Sequence, residues 1–163
     1  MNIKDIKKHF PIFEQKINGK SLVYLDSANS SQKPKKVIDS LNKFYSEDFA
    51  NVGRGIYTLA ANASEQYENT RSALKKFIKA SDESEIIFTK NSTESLNLVA
   101  SCYGSKFINE GDEIISTELE HHANFVPWHF LRKKKGAVIK FLEIDDKGNL
   151  KIEDLEKLIT KKT

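Results

Sequence analysis

Glu113-Ile114-Ile115-Ser116-Thr117-Glu118-Leu119-Glu120-His121-His122-Ala123-Asn124-Phe125-Val126-Pro127-Trp128 is the stretch on which the fold class turns. Its first four residues read as a short apolar strand. From His121 to Lys135 the spacing reads as a helix, with Pro127 kinking it or resetting its start. Two adjacent histidines therefore stand where a strand gives way to a helix. In a parallel α/β protein, ligands bind at the carboxyl ends of the strands. Two imidazoles at such a point ask for a ligand, a metal or a cofactor ring.

The same alternation extends outward along the chain. Residues 2–10 read as a short helix stopped by Pro11, and Ser21–Leu25 as a strand. Pro34 suits a helix start, and Val37, Ile38, Leu41, Phe44 and Tyr45 then recur at helical spacing. A turn at Asn51–Gly55 precedes a long helix, about Leu59 to Ala80. Glu85–Thr89 reads as a strand, Ser92–Phe107 as a helix and Ala137–Leu142 as a strand. Asp145–Gly148 reads as a turn, and Ile152–Ile159 as a closing helix. Strands separated by helices of this length predict an α/β fold with a parallel-type sheet and helices on both faces. A further strand is expected after the last helix. The chain is therefore expected to be a piece of something larger, with an open sheet edge, and aggregation-prone when alone.

Composition narrows the class. The chain has 163 residues, is 39% hydrophobic and 30% charged, and fits one ordinary globular domain. The expected location is cytoplasmic. Met1–Lys8 lacks the apolar segment of a secretory signal, no apolar run is long enough for a membrane span, and the single cysteine suits a reducing compartment. The net charge of +3 comes from scattered basic residues, only three of them arginines (Arg54, Arg71, Arg132). Lys133–Lys135 is the one tight run, and it reads as a solvated helix end rather than a nucleic-acid patch. Cys102 lies mid-helix among apolar neighbours and is expected to be a buried structural thiol.

Three segments carry candidate chemistry. Thr89–Glu94 joins a strand to a helix. A helix start offers unpaired N–H groups to a phosphate, and Ser92 and Thr93 add hydroxyls. The same segment also reads as an N-cap, with Asn91 or Ser92 capping and Glu94 completing a box-like pair. In the second segment, a metal reading of the histidines meets a geometric objection. His122 and His129 are two helical turns apart, roughly 10 Å, and His121 and His122 point about 100° apart on a helix. No metal site is expected. Either one histidine bonds the helix start and the other packs, or one ring lies flat on an aromatic cofactor. The third segment, Leu25–Ser31, is a loop of small polar residues. It reads as an Asx or Ser turn, or as a place where backbone approaches a ligand.

Four motifs in order carry a resemblance: Tyr24-Leu25-Asp26-Ser27-Ala28, Arg54-Gly55-Ile56-Tyr57, Asn91-Ser92-Thr93-Glu94-Ser95-Leu96-Asn97-Leu98-Val99, and Glu120-His121-His122-Ala123-Asn124-Phe125-Val126-Pro127-Trp128. Together they resemble the amino-terminal part of the Suf-type (group II) cysteine desulfurases, in the class V aminotransferase group of fold-type I pyridoxal-phosphate enzymes. The resemblance implies an enzyme that takes sulfur from L-cysteine, leaving L-alanine and an enzyme persulfide. The sulfur then goes to a Suf-type acceptor protein for iron–sulfur cluster assembly. It implies that Ser92 and Thr93 hold the phosphate of pyridoxal 5'-phosphate, that His121 stacks on its ring and helps move protons, and that Ala28 and Arg54 lie at the substrate pocket. His122 is expected to be structural.

The resemblance also implies a homodimer when the protein is full length. Residues 1–12 would be an amino-terminal helix packing with the small domain, and 13–163 the first portion of the large domain. The family's Schiff-base lysine, its catalytic cysteine and its substrate-carboxylate arginine are all expected beyond Thr163. Gly53 departs from the pattern, since many relatives carry histidine just before the Arg-Gly. The isolated chain is therefore expected to be inactive. Selenocysteine lyases, other class V enzymes and a non-catalytic degenerate copy are the alternatives that the motifs leave open.

Overall fold

The computed structural model describes residues 2–163. They form two compact units, residues 2–86 and 87–163.

In the first unit, α1 (Ile3–Lys7) is capped by Asn2, whose side chain accepts from the Lys4 amide. Pro11 ends this segment by opening a 3-10 turn, Pro11–Glu14. Strands β1 (Lys16–Ile17) and β2 (Lys20–Ser21) form an antiparallel hairpin. Its turn is Asn18-Gly19, with φ of 52° and 76°. Positive φ at both central positions is what a right-twisted two-residue hairpin requires, and Asn-Gly meets it at little steric cost. Helix α2 (Lys35–Lys43) follows Pro34 and runs on as a π-turn, Phe44–Asp48. The long helix α3 (Thr58–Ile78) buries Ala60 and Ala63. Gly55 lies close against it: a Cβ there would come 2.3 Å from the Ala60 Cβ. A 3-10 turn, Glu83–Glu85, closes the unit, with Asp82 and Glu85 forming a reciprocal capping box.

The second unit is a βαβ arrangement. The helical segment Ser92–Phe107 comprises α4 (Ser92–Leu98), a π-turn (Val99–Gly104) and α5 (Ser105–Phe107). Strand β3 (Glu113–Thr117) pairs in parallel with β4 (Val138–Leu142), in register from Glu113 opposite Val138 to Thr117 opposite Leu142. The crossover holds a 3-10 turn (His122–Asn124) and α6 (Val126–Lys135). Pro127 lies in the first turn of α6, so it resets the helix start rather than kinking it. Gly136 stops α6 in the left-handed region (φ 75°), and its amide donates to the Arg132 carbonyl. The Arg132–Lys135 run thus sits in the last helical turn, where the dipole favours cations. Leu131 and Leu142 are buried. Gly104 lets the preceding helical segment meet Leu131, whose Cδ2 lies 2.6 Å from where a Cβ would be. After a turn at Asp145–Asn149 comes a 3-10 turn, Ile152–Asp154, and then α7 (Leu155–Leu158).

Three expectations change. Of Ser21–Leu25, only Ser21 belongs to a strand, and that strand is half of a hairpin. Val23 and Leu25 are 74% and 91% exposed. Glu85–Thr89 forms no ladder either: Glu85 ends a 3-10 turn and Ile87 is exposed. Both segments have strand-like residues, but a strand needs a partner backbone, and among the described residues 23–25 and 86–89 belong to no sheet. The parallel sheet therefore has two strands. Thirdly, Cys102 is exposed rather than buried. The face that the helix buries carries Ala100 and Gly104, four apart, and Cys102 midway between them points nearly opposite.

Glu113 ties the start of β3 to the last residues of the chain. Its carboxylate accepts from Lys140 Nζ at 2.7 Å and from Thr160 Oγ1 at 2.6 Å. The Lys140 ammonium, followed by the Thr160 hydroxyl, holds this carboxyl below its ordinary range. The folded chain then binds this proton less readily than the unfolded chain. The resulting stabilisation is present above the usual carboxylate pKa and is lost as pH falls through the lowered folded value. Urea unfolding followed across acidic pH should show the midpoint falling in that window, and Glu113→Gln should flatten the fall. A pH profile unchanged by that substitution would contradict the assignment.

Candidate active site

Ser92, Thr93 and His121 all belong to the second unit, where α4 packs against the His122–Asn124 turn that follows His121. The helix start is capped by Asn91, whose Oδ1 accepts from the Glu94 amide at 2.9 Å. Glu94 turns its own carboxylate back to the Lys90 amide at 2.7 Å, one residue before the cap. This is a capping box displaced by one position. Thr89 Oγ1 and Ser95 Oγ lie 2.6 Å apart and tie the approach to the first turn. The cap uses the Glu94 amide and leaves the Ser92 and Thr93 amides at the positive end of the helix. Among the described residues, neither the Ser92 nor the Thr93 hydroxyl makes a hydrogen bond. Capping and anion binding are thus compatible here, because they use different donors.

His121 precedes the 3-10 turn in extended conformation (φ −65°, ψ 148°). Its Nδ1 accepts from the Ala123 amide at 3.0 Å. An acceptor at Nδ1 places the proton of the neutral ring on Nε2. Both His121 and His122 are exposed, with ring centroids 6.2 Å apart and planes at 86°. His129 sits lower, its ring 4.3 Å from that of Phe125.

The loop carrying His121 is fastened by groups that the motif reading passed over. Glu120 Oε1 accepts from Thr117 Oγ1 at 3.0 Å, and Oε2 from Asn124 Nδ2 at 2.7 Å. Asn124 Oδ1 accepts from the Trp128 indole N–H at 3.0 Å. Glu118 Oε2 accepts from the Ile144 amide at 3.2 Å, tying the same loop to the residues after β4. The signal was in the spacing: Glu120, Asn124 and Trp128 are successive i, i+4 partners.

Ala28 and Arg54 belong to the first unit. Ala28 is exposed in a turn where the Asn29 and Ser30 amides donate to the Asp26 carbonyl. Tyr24 Oη donates to the Ser30 carbonyl, which closes the loop on itself. Arg54 is exposed and has φ of 56°, directly after Gly53 at 75°. Two successive left-handed residues, one of them not glycine, cost backbone energy, and the loop is held in place. Gly53 N–H donates to Ser64 Oγ at 2.9 Å, Asn51 Nδ2 to the Gly53 carbonyl at 3.0 Å, and Tyr57 Oη to Asn51. No helix among the described residues is long and apolar enough to cross a membrane, and no three metal-ligating side chains converge.

A parallel β-α-β unit with an exposed imidazole following the end of β3 defines an α/β protein. The aminotransferase class-V family matches residues 23–163, and the chain belongs to that family. It is 47% identical over its whole length to a probable cysteine desulfurase of Halalkalibacterium halodurans, and 47% identical over 162 residues to one of Staphylococcus aureus. It spans about 40% of the length of the first and 39% of the second. Among solved structures it resembles the apo cysteine desulfurase of Thermococcus onnurineus, with a TM-score of 0.87 and 38% identity over 97% of this chain and 38% of that one. It also resembles the cysteine desulfurase CsdA of Escherichia coli, with a TM-score of 0.79 and 33% identity over 99% of this chain and 39% of that one.

The cap and the open donors separate experimentally. Asn91→Ala should destabilise the second unit by about 0.5–2 kcal/mol, as loss of an N-cap does. Thr93→Ala should stay within about 0.5 kcal/mol of the parent, since its hydroxyl holds nothing in the fold. Denaturant titrations of the two variants test this, and a large loss for Thr93→Ala would refute it.

Proposed function

We propose that this chain is the amino-terminal, cofactor-facing portion of a pyridoxal-phosphate-dependent cysteine desulfurase. The observation that carries the proposal is the packing of α4, whose first amides are open to an anion, against the turn that follows His121. A phosphate-type helix start and an exposed imidazole are both what a flat phosphorylated cofactor needs. The residues fit such a group: two amides and two hydroxyls stand at the positive end of a capped helix, and the first-turn carboxylate of Glu94 is drawn back toward Lys90.

In this reading Ser92 and Thr93 bind the phosphate. His121 stacks on the pyridine ring and, with its proton on Nε2, can hold or pass a proton there. The bound cofactor supplies an electron sink for chemistry at the amino-acid α-carbon. Ala28 and Arg54 line the substrate pocket. The substrate is L-cysteine, the products are L-alanine and an enzyme persulfide, and the sulfur passes to a Suf-type acceptor for iron–sulfur cluster assembly in the cytoplasm. The full-length protein is a homodimer. Residues 1–12 serve the small domain and 13–163 begin the large one.

Two measurements bear on this. The 163-residue chain by itself should release no alanine from cysteine when supplied with the cofactor, and alanine formation would overturn the division of labour. In the full-length protein, Thr93→Ala should weaken cofactor binding by about 10- to 100-fold, the loss of one hydrogen bond to a charged group at about 1.5–3 kcal/mol. An unchanged affinity in a cofactor titration would remove Thr93 from the phosphate site.

A further inference from the structure

We infer that Glu120, Asn124 and Trp128 are positioning residues that fix the His121 imidazole in a single tautomer and direction. Glu120 immediately precedes His121, and Asn124 ends the turn that follows it. Their side chains meet at 2.7 Å, so the contact closes over the turn like a clasp. Inside the clasp, Asn124 N–H donates to the His121 carbonyl at 2.8 Å, and Ala123 N–H donates to His121 Nδ1 at 3.0 Å. Both bonds fall within the one turn, on the backbone carbonyl and on the ring of the same residue.

The direction of the Asn124 amide is set from outside. Its Oδ1 faces the Trp128 indole N–H, which only donates, and its Nδ2 faces the Glu120 carboxylate, which when ionised only accepts. Flipping the amide would oppose oxygen to carboxylate and N–H₂ to N–H, and both contacts would be repulsive. Glu120 is anchored in turn to the end of β3 through Thr117 Oγ1, which also accepts from the Leu119 amide at 3.3 Å. The chain of bonds runs from strand β3 through Glu120 and Asn124 to helix α6. It transmits the rigidity of both elements to the turn between them. The consequence for a cofactor ring rests on the reading of His121 given above. The effect on the imidazole does not, because it is built entirely from this chain's own groups.

The test reads the histidine directly, without cofactor or activity. Ring-nitrogen correlation spectra of the ¹⁵N-histidine-labelled chain, at a pH where the rings are neutral, distinguish the two tautomers. In the parent, His121 should show a protonated Nε2 and an acceptor-type Nδ1. Glu120→Ala, Asn124→Ala and Trp128→Phe should shift His121 toward the tautomer mixture of free histidine while His9, His122 and His129 keep their signals. Glu120→Gln should retain the parent pattern. Its carbonyl still accepts from Asn124, and the Thr117 hydroxyl can turn to accept from the new amide. His121 signals unchanged in Glu120→Ala and Asn124→Ala would overturn the inference. So would a change shared by all four histidines in every variant, Glu120→Gln included, since that would mean a general role in folding. A failed cofactor-binding experiment with unchanged tautomer results would sink only the functional reading.

Discussion

The parallel register of β3 and β4 is the constraint on which the second unit depends. Its ladder extends past both ends of the paired strands, from Val138 N–H on the Asp112 carbonyl at 2.8 Å to Glu118 N–H on the Leu142 carbonyl at 3.3 Å. Side chains alternate faces along a strand, so a one-residue slip would turn Leu142 out of the core. The same slip would move Thr117 off the face from which it reaches Glu120. The histidine turn thus begins four residues after Thr117, whose ladder partner Leu142 lies 25 residues further along the chain. The Glu118 bond to the Ile144 amide reinforces this link from the opposite strand end.

The parts legible in the sequence are those whose determinants are local. Helices announce themselves by apolar spacing within a few turns, and Thr58–Ile78, Ser92–Phe107 and Val126–Lys135 lie close to where that spacing puts them. Their boundaries have local causes too: Pro127 sits in the first turn of α6 and Gly136 ends it. Strands are half non-local. Ile86–Phe88 and Val23–Leu25 have the residue types of strands, yet type alone supplies no partner. The Asn18-Gly19 hairpin is the opposite case: a short-range turn signal that was present and passed over, because its strands are only two residues long. Cys102 was misplaced because its apolar neighbours in sequence are not its neighbours on the helix surface.

At the helix start, two readings of one segment are compatible rather than rival. A capped helix has spent only part of its donor set. Asn91 satisfies the third amide of the helix and Glu94 reaches behind the cap, so the first two amides still face outward. An acidic residue in the first turn is favourable to the helix dipole but would repel a bound anion. The backward turn of the Glu94 side chain reconciles these requirements, keeping the charge near the helix end and aiming it at Lys90 N–H. Composition cannot show this. It depends on a rotamer, and the rotamer depends on which amides the loop exposes.

The two histidines show how backbone divides equal residues. His121 is the last extended residue before the turn, so its ring folds back on the Ala123 amide and one nitrogen is committed. His122 is the first residue inside the turn, and its ring stands at 86° to its neighbour's. A shared metal would need a lone pair from each ring directed at one point. On His121 the Nδ1 lone pair is already spent on the Ala123 amide. A flat ligand asks for something different: one exposed imidazole face, held still, with a known protonation pattern at its edge. His121 differs from His122 in having one ring nitrogen committed to the backbone, with Glu120 and Ala123 bonding within its turn on either side.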